Sequence, residues 1–236
     1  MSVRIAGAAP LAMLDRWRAG EVHLRTALGR LTDAEFDGPS LLPGWTRRVL
    51  LAHLARNAEA LLNLLNWART NVETPMYPSP GAREDQIAAT AELPPAQLRR
   101  YVSTASRRLA LAMQTMPDDA WMMPVRTAQG RTVPASEVPW LRTREVWAHG
   151  VDLDAGITFA HVPTSVTIAL IDDVFRTWAR RGTIPDLILF ADGDTWGTGS
   201  VTVAGPLAAA AAWVTGRSAG TELTADGALP RLTNWI

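Results

Sequence analysis

The sequence contains no cysteine among its 236 residues. This absence excludes disulfides, iron–sulfur clusters, cysteine-ligated zinc and any thiol nucleophile supplied by the protein itself. A metal ion would therefore need histidine, aspartate or glutamate as its ligands. Histidine is scarce as well, and the four that occur are His23, His53, His149 and His161.

The sequence also lacks a net charge, because its 23 Lys and Arg residues balance its 23 Asp and Glu residues. The sequence thus offers no basic surface for nucleic acid and no polybasic segment for a membrane. Its apolar runs, such as residues 207–214, are far shorter than the roughly 20 residues that span a bilayer. The first ten residues lack a signal-peptide pattern. We therefore expect a cytoplasmic protein without nucleic-acid or membrane partners; a monomer is consistent with the sequence, which leaves the oligomeric state open.

Apolar residues recur every three or four positions through the first two-thirds of the chain, a spacing typical of amphipathic helices. Thr46 and Ser136 are placed to cap two of these helices. The segment 118–134 is predicted to be irregular and could fold over a site. Helices are predicted at about residues 8–31, 47–68, 83–91, 95–116 and 136–155.

The pattern changes after Gly156. A helix over 164–180 is followed by a buried strand at 187–190, an Asp-Gly turn at 192–194 and strand-like alternation over 195–203. A last helix is predicted from Pro206 to Gly216. The fold class is thus mainly α: a four-helix bundle over 1–156, followed by a smaller α+β domain over 157–236.

Two glycine-containing segments resemble ligand-binding loops only in part. Residues 192–197 begin like a calcium loop, but its twelfth position is Val203 rather than glutamate. The Gly197-Thr198-Gly199 run lacks the third glycine of a dinucleotide loop. We interpret both as ordinary turns.

Three residues are candidates for a metal centre in the bundle. His53 shares a helical face with Leu50 and Leu54, which predicts that it points inward. A single inward histidine is usually a hydrogen-bonded core residue. Glu145 and His149 lie four residues apart on another helix, a spacing that by itself favours a surface ion pair.

The three candidates gain weight together, because helix bundles build metal sites from side chains on facing helices. Two imidazoles and one carboxylate suit zinc with a fourth position open for chemistry. The same set could hold iron(II), and a purely structural polar cluster also fits the pattern, so these residues alone leave the assignment open.

Several longer motifs resemble those of the mycothiol-dependent maleylpyruvate isomerase family. The resemblance covers the whole bundle, which is similar to the DinB-like superfamily, and implies a sterol-carrier-protein-like second domain. That domain matches mainly through residues 212–217. The motifs in the bundle are residues 40–47, 66–68 with 73–77, 127–137 and 144–153.

The resemblance implies that His53, Glu145 and His149 bind zinc and that Arg217 is required for activity. An arginine near a helix end is also favourable for purely structural reasons.

Other residues carry weaker expectations. Gln129 and Arg131 lie in a closely matching loop, where they could contact a carboxylate or the thiol, although a surface loop is the more usual explanation for such residues. Trp45 and Trp147 are expected either to line a pocket or to pack in the core.

The reaction implied by the resemblance is the cis–trans isomerisation of maleylpyruvate to fumarylpyruvate in gentisate degradation, a route of aromatic catabolism. Zinc and mycothiol are the implied cofactors, with reversible addition of a thiolate to the double bond. Because the protein has no cysteine, the thiol must come from outside. Two alternatives remain: a mycothiol S-transferase acting on another electrophile, and a binding module without catalysis.

Overall fold

A computed structural model describes residues 11–235. The chain divides into two compact units, Met1–Gly156 and Ile157–Ile236. Seven α-helices lie among the described residues. The same residues form two sheets, a two-stranded hairpin in the first unit and a four-stranded sheet in the second. The predicted fold class, mainly α with a smaller α+β part, is confirmed.

The first unit contains four long helices and one short one. Helix α2 packs against α4 and α5, and α1 packs against α5. The predicted start of the first helix at Ala8 lies outside the described residues. The helices are α1 (Leu11–Arg30), α2 (Arg47–Thr70), α3 (Ala82–Ala91), α4 (Pro95–Gln114) and α5 (Val138–Asp152).

The two predicted helix caps have different outcomes. The Thr46 hydroxyl accepts a hydrogen bond from the Val49 amide at 3.3 Å, which confirms the cap of α2. The Ser136 prediction is wrong, because Ser136 lies inside a 3₁₀ turn over Ala135–Glu137 that leads directly into α5. Glu137 occupies the N-cap position in a helical conformation and makes no capping hydrogen bond through its side chain.

The segment 118–134 is not wholly irregular, so that prediction needs correction. Strands β1 (Pro124–Arg126) and β2 (Thr132–Pro134) form an antiparallel hairpin. Val125 and Val133 pair across it and are both buried. Strands of three residues are too short to show an alternating pattern in the sequence, although burial of their central valines stabilises them.

The second unit is a helix pair with a four-stranded sheet. The strand order is β4-β3-β5-β6, in which β3 is antiparallel to β4 and parallel to β5. Helix α7 packs against α6 and against β3 and β5. The elements are α6 (Thr164–Arg181), β3 (Leu187–Ala191), β4 (Asp194–Gly197), β5 (Val201–Gly205), α7 (Leu207–Val214) and β6 (Thr224–Ala225).

The predicted turn between β3 and β4 is confirmed. Asp192 and Gly193 both have positive φ, 47° and 96°, as a two-residue hairpin turn requires. The single strand predicted over 195–203 is two strands instead, because the chain leaves the extended conformation at Gly197 (φ 82°) and resumes it at Val201.

Among the described residues, none of the helices combines the length and the apolar character that crossing a membrane would require.

Candidate metal centre

Helix α5 is unusual because each of its residues from Val138 to Asp152 is buried. Charged side chains on such a helix need partners, since an unpaired buried charge is costly. Glu145 and His149 are 7% and 6% exposed, which excludes the interpretation of this pair as a surface ion pair. Because the two residues lie one helical turn apart, both side chains point to the same side of α5.

His53 on α2 completes a cluster with these two residues. The three offer ligand atoms that all lie within 4.8 Å of one another. One carboxylate oxygen, Glu145 Oε2, lies 2.9 Å from His53 Nε2 and 3.4 Å from His149 Nε2. The predicted convergence of two imidazoles and one carboxylate is therefore present in the structure.

This donor set is compatible with a zinc ion. Ligand atoms about 2.1 Å from a tetrahedral zinc are separated from one another by about 3.4 Å. The two nitrogen–oxygen distances in the cluster are close to that separation. Three protein ligands would leave one position open, as in catalytic rather than structural zinc sites.

Asp152 orients His149 from behind. Its Oδ2 atom lies 2.8 Å from His149 Nδ1, and its side chain is fully buried. When Nδ1–H donates to this carboxylate, the lone pair of Nε2 is directed toward Glu145 and the centre of the cluster. Carboxylate–histidine pairs of this kind commonly support metal-binding imidazoles.

His53 has a different partner, the guanidinium of Arg83 on α3. Arg83 Nη2 lies 3.3 Å from His53 Nδ1. Because a guanidinium offers only donors, Nδ1 must accept, and the proton of the neutral ring then lies on Nε2, where it is donated to Glu145. The two histidines thus have opposite hydrogen-bond environments at their Nδ1 atoms.

Burial and hydrogen bonding shift the pKa values of all three residues. Burial lowers the pKa of His53 despite its hydrogen bond with Glu145. Burial also opposes the charged forms of His149 and Glu145, but their mutual contacts outweigh it. The pKa of His149 is raised by Asp152 and Glu145, and that of Glu145 lies well below its usual value because of its hydrogen bonds and charge interactions with both imidazoles.

Arg142 connects α5 to α2 beside the cluster. Its guanidinium is fully buried and donates to the Leu54 carbonyl and to Asn57 Oδ1 on α2, at 2.8 and 3.0 Å. Its Nε–H donates to Glu21 on α1 at 2.8 Å. The bonds to α2 hold it against α5 at Leu54, the residue that follows His53.

The other predicted site residues lie elsewhere. Gln129 is exposed at the turn between β1 and β2, and the half-buried Arg131 closes that turn through a backbone hydrogen bond with Thr127 at 2.9 Å. Arg217 belongs to the second unit and follows α7. Its amide donates to the Ala212 carbonyl at 2.7 Å, beside Gly216 (φ 79°), in the arrangement of a Schellman helix end.

The two tryptophans expected near the site differ. Trp45 presents an edge-on contact to His53, with the ring centroids 5.6 Å apart. Trp147 is buried in the helix packing, where its indole N–H donates to the Arg16 carbonyl on α1 at 3.0 Å. Trp147 is thus a core residue, the second of the two expected roles.

Sequence reasoning missed Asp152, Arg83 and Arg142. Asp152 lies three residues after His149, so the spacing of a histidine and a carboxylate on one helical face could have indicated it. No comparable signal marks Arg83 or Arg142, since the sequence contains many arginines.

Comparisons with known proteins identify the family to which the chain is similar. The family model of the mycothiol maleylpyruvate isomerase N-terminal domain matches residues 6–154. Two solved structures are similar along nearly the whole chain. One is a mycothiol-dependent maleylpyruvate isomerase, with 40% identity, a TM-score of 0.89 and coverage of 95% of this chain and 96% of that one. The other is a histidine-to-alanine mutant of such an enzyme, with 39% identity and the same TM-score and coverage.

No curated protein sequence matches the chain significantly. The family model alone covers well over half of the chain, and the identity to the solved structures is high over almost its full length. The resemblance predicted from the sequence motifs is therefore confirmed, together with the expected enzyme class, an isomerase. The chain belongs to the mycothiol maleylpyruvate isomerase family.

Proposed function

We propose that the protein is a zinc- and mycothiol-dependent isomerase that converts maleylpyruvate to fumarylpyruvate. The observation that supports this most strongly is the buried His53, Glu145 and His149 cluster in a chain 40% identical to a mycothiol-dependent maleylpyruvate isomerase. A role in gentisate degradation and a cytoplasmic location belong to the same proposal.

The reaction requires temporary loss of a double bond. Maleylpyruvate cannot rotate about its alkene until that bond becomes single, and addition of a thiolate to the conjugated alkene achieves this while the electron pair moves onto the ketone oxygen. After rotation the electron pair returns and the thiolate is expelled, so the trans product forms and the thiol is regenerated. A chain without cysteine must receive this thiol from a cofactor.

In this proposal His53, Glu145 and His149 hold the metal, and Asp152 keeps His149 in the binding orientation. Zinc in such a site polarises carbonyl oxygens or lowers the pKa of a thiol from its usual value of about 8.5. The low exposure of the three ligands limits access of water, which strengthens electrostatic interactions at the site.

Residues outside the cluster complete the proposal. Arg217 supplies a guanidinium suited to a carboxylate or to the developing enolate. Gln129 and Arg131 would contact substrate or thiol through the hairpin turn.

An ultraviolet assay of maleylpyruvate turnover by the zinc-loaded protein, with and without mycothiol, tests the function. We expect fumarylpyruvate to form only when mycothiol is present and the thiol concentration to stay constant. Stoichiometric loss of thiol would instead indicate an S-transferase. A purified protein with far less than one zinc per chain would favour the purely structural cluster.

The ligand assignment has its own test. We expect His53→Ala to abolish both zinc retention and isomerisation, because it removes one of three protein ligands. His161→Ala is the matched control, since His161 is exposed and its ring bonds with Thr158 outside the cluster. Full zinc occupancy with normal turnover in His53→Ala would exclude the assignment.

A further inference from the structure

The Arg83 guanidinium lies at the edge of the ligand cluster. Its side chain is 36% exposed, whereas the side chain of His53, which it contacts, is 7% exposed. Arg83 therefore connects the buried cluster with solvent. It also forms an ion pair with Glu84 at 3.0 Å, but Glu84 is 65% exposed and so contributes little stabilisation.

Metal binding is incompatible with the contact between Arg83 and His53. When His53 binds a metal through Nε2, its proton lies on Nδ1, and that atom becomes a donor. A guanidinium has only donors, so Arg83 then loses its acceptor on the ring. The same event that fills the cluster therefore frees one side of the guanidinium for another acceptor.

Charge balance indicates what that acceptor is. The carboxylates of Glu145 and Asp152 together balance a divalent ion, and the Arg144 guanidinium already lies 3.8 Å from Glu145, so the charge of Arg83 at His53 is additional. A cation beside a metal ion is unfavourable unless an anion lies nearby. A carboxylate is an anion that a guanidinium binds well, through two parallel hydrogen bonds.

Tyr77 adds a second polar group beside Arg83. Burial raises the pKa of Tyr77, and this effect exceeds the opposing influence of the nearby Arg83 charge and of the hydrogen bond between the two side chains. The phenol thus stays protonated at neutral pH and provides an O–H donor next to the guanidinium.

We propose that Arg83 binds a carboxylate group of the substrate beside the metal centre, and that it becomes available when the metal occupies His53. The inference rests on the proposed function for the identity of the substrate, a short dicarboxylate. It adds a substrate-binding residue on the first unit to the expected Arg217.

Titration calorimetry with maleate as the probe tests this proposal on the full chain. We expect maleate to bind the zinc-loaded protein more tightly than the zinc-free protein, in which His53 engages Arg83. In Arg83→Gln, maleate should bind the zinc-loaded form about 10- to 100-fold more weakly, the usual effect of losing hydrogen bonds to a charged group. Arg83→Lys should recover part of the affinity, because it keeps the charge without the fork.

Zinc affinity, measured by dye competition, separates this role from a structural one. Removing a cation and a competing donor should leave the zinc affinity of Arg83→Gln unchanged or increase it. Arg107→Gln is the control for net charge, since Arg107 is exposed on α4. It should change neither affinity.

Two results would overturn the proposal: maleate affinity that is equal in wild type and Arg83→Gln, including no binding to either, or a joint loss of zinc and maleate affinity in the variant. The latter would mean that Arg83 only holds α3 against His53. A zinc-loaded protein that binds maleate through Arg83 but does not isomerise maleylpyruvate would refute the proposed function alone.

Discussion

Asp152 shows at the scale of single residues how a buried histidine can be oriented for metal binding. Its carboxylate is fully buried and contacts only one side of the His149 ring, at Nδ1. This contact selects the tautomer whose Nε2 lone pair is available to a metal. It also restricts rotation of the ring, which lowers the entropy lost on metal binding.

We expect Asp152→Asn to weaken zinc binding about 10- to 100-fold, because the amide carries no charge and only one of its two orientations accepts from Nδ1–H. Dye competition on the full chain measures this. Asp154→Asn is a matched control two residues further on, since Asp154 is 56% exposed and pairs with Arg47. Equal zinc affinity in the two variants would contradict a role of Asp152 in orienting His149.

The cluster of three candidate ligands could be predicted because helical periodicity assigns side chains to faces, and the side chains of His53, Glu145 and His149 converge in the structure. Their partners at the Nδ1 atoms could not be predicted in the same way. Arg83 comes from a separate helix, 30 positions after His53, and its contact depends on how α3 lies against α2. Periodicity within one helix carries no information about such a contact.

At the scale of helices, the cluster depends on the packing of α2 against α5. The Arg142 guanidinium joins α5 to both α2 and α1, and its partner Glu21 is 12% exposed at the side chain. A buried ion pair adds little to stability over an apolar pair, but removing one partner leaves an uncompensated charge.

We therefore expect Glu21→Gln to lower the free energy of unfolding by about 3–5 kcal/mol, measured by urea denaturation. Asp15→Asn on the same helix is the control, because Asp15 is 72% exposed and pairs with the half-exposed Arg18. Its effect should stay below about 1 kcal/mol. Similar losses of unfolding free energy in both variants would show that breaking the buried pair costs no more than breaking an exposed one.

The same pair should make stability depend on acidity. Burial opposes the ionised form of Glu21, but the charge and hydrogen bond of Arg142 outweigh it and lower its pKa below 4.5. The resulting stabilisation is present above pH 4.5 and is lost as the pH falls through the lower pKa of the folded state. The free energy of unfolding should therefore decrease less steeply with acidification in Glu21→Gln than in wild type. Equal slopes would contradict this assignment.

Long helices could be predicted from the sequence more accurately than short strands. Helix α2 begins at the predicted cap, Thr46, because a long apolar stripe and a capping hydroxyl coincide there. The β1–β2 hairpin could not be predicted in this way. What stabilises it is the pairing of Val125 with Val133 at its centre, and this pairing is evident only in the structure. The break between β4 and β5 depends on Gly197, whose added Cβ would overlap the Leu187 carbonyl on β3.

At the scale of the whole molecule, the candidate metal ligands and Arg217 belong to different units. The helix end at Arg217 is held by backbone bonds, from Gly216 to the Trp213 carbonyl and from Arg217 to that of Ala212. Arg217 Nη1 also donates to the Thr215 carbonyl at 2.6 Å, and replacing the side chain removes this bond while it leaves the two backbone bonds in place. A variant at this position therefore tests the guanidinium while the backbone bonds that end the helix remain.

We expect Arg217→Ala to keep one zinc per chain while its kcat/KM for maleylpyruvate falls about 10²- to 10³-fold, the usual effect of losing a group that stabilises developing negative charge. Zinc is retained because all three proposed ligands lie in the first unit. Arg231→Ala provides the control, since Arg231 is exposed in the same unit. An Arg217→Ala variant as active as this control would show that Arg217 only ends a helix, and the charge of the enolate would then need another donor.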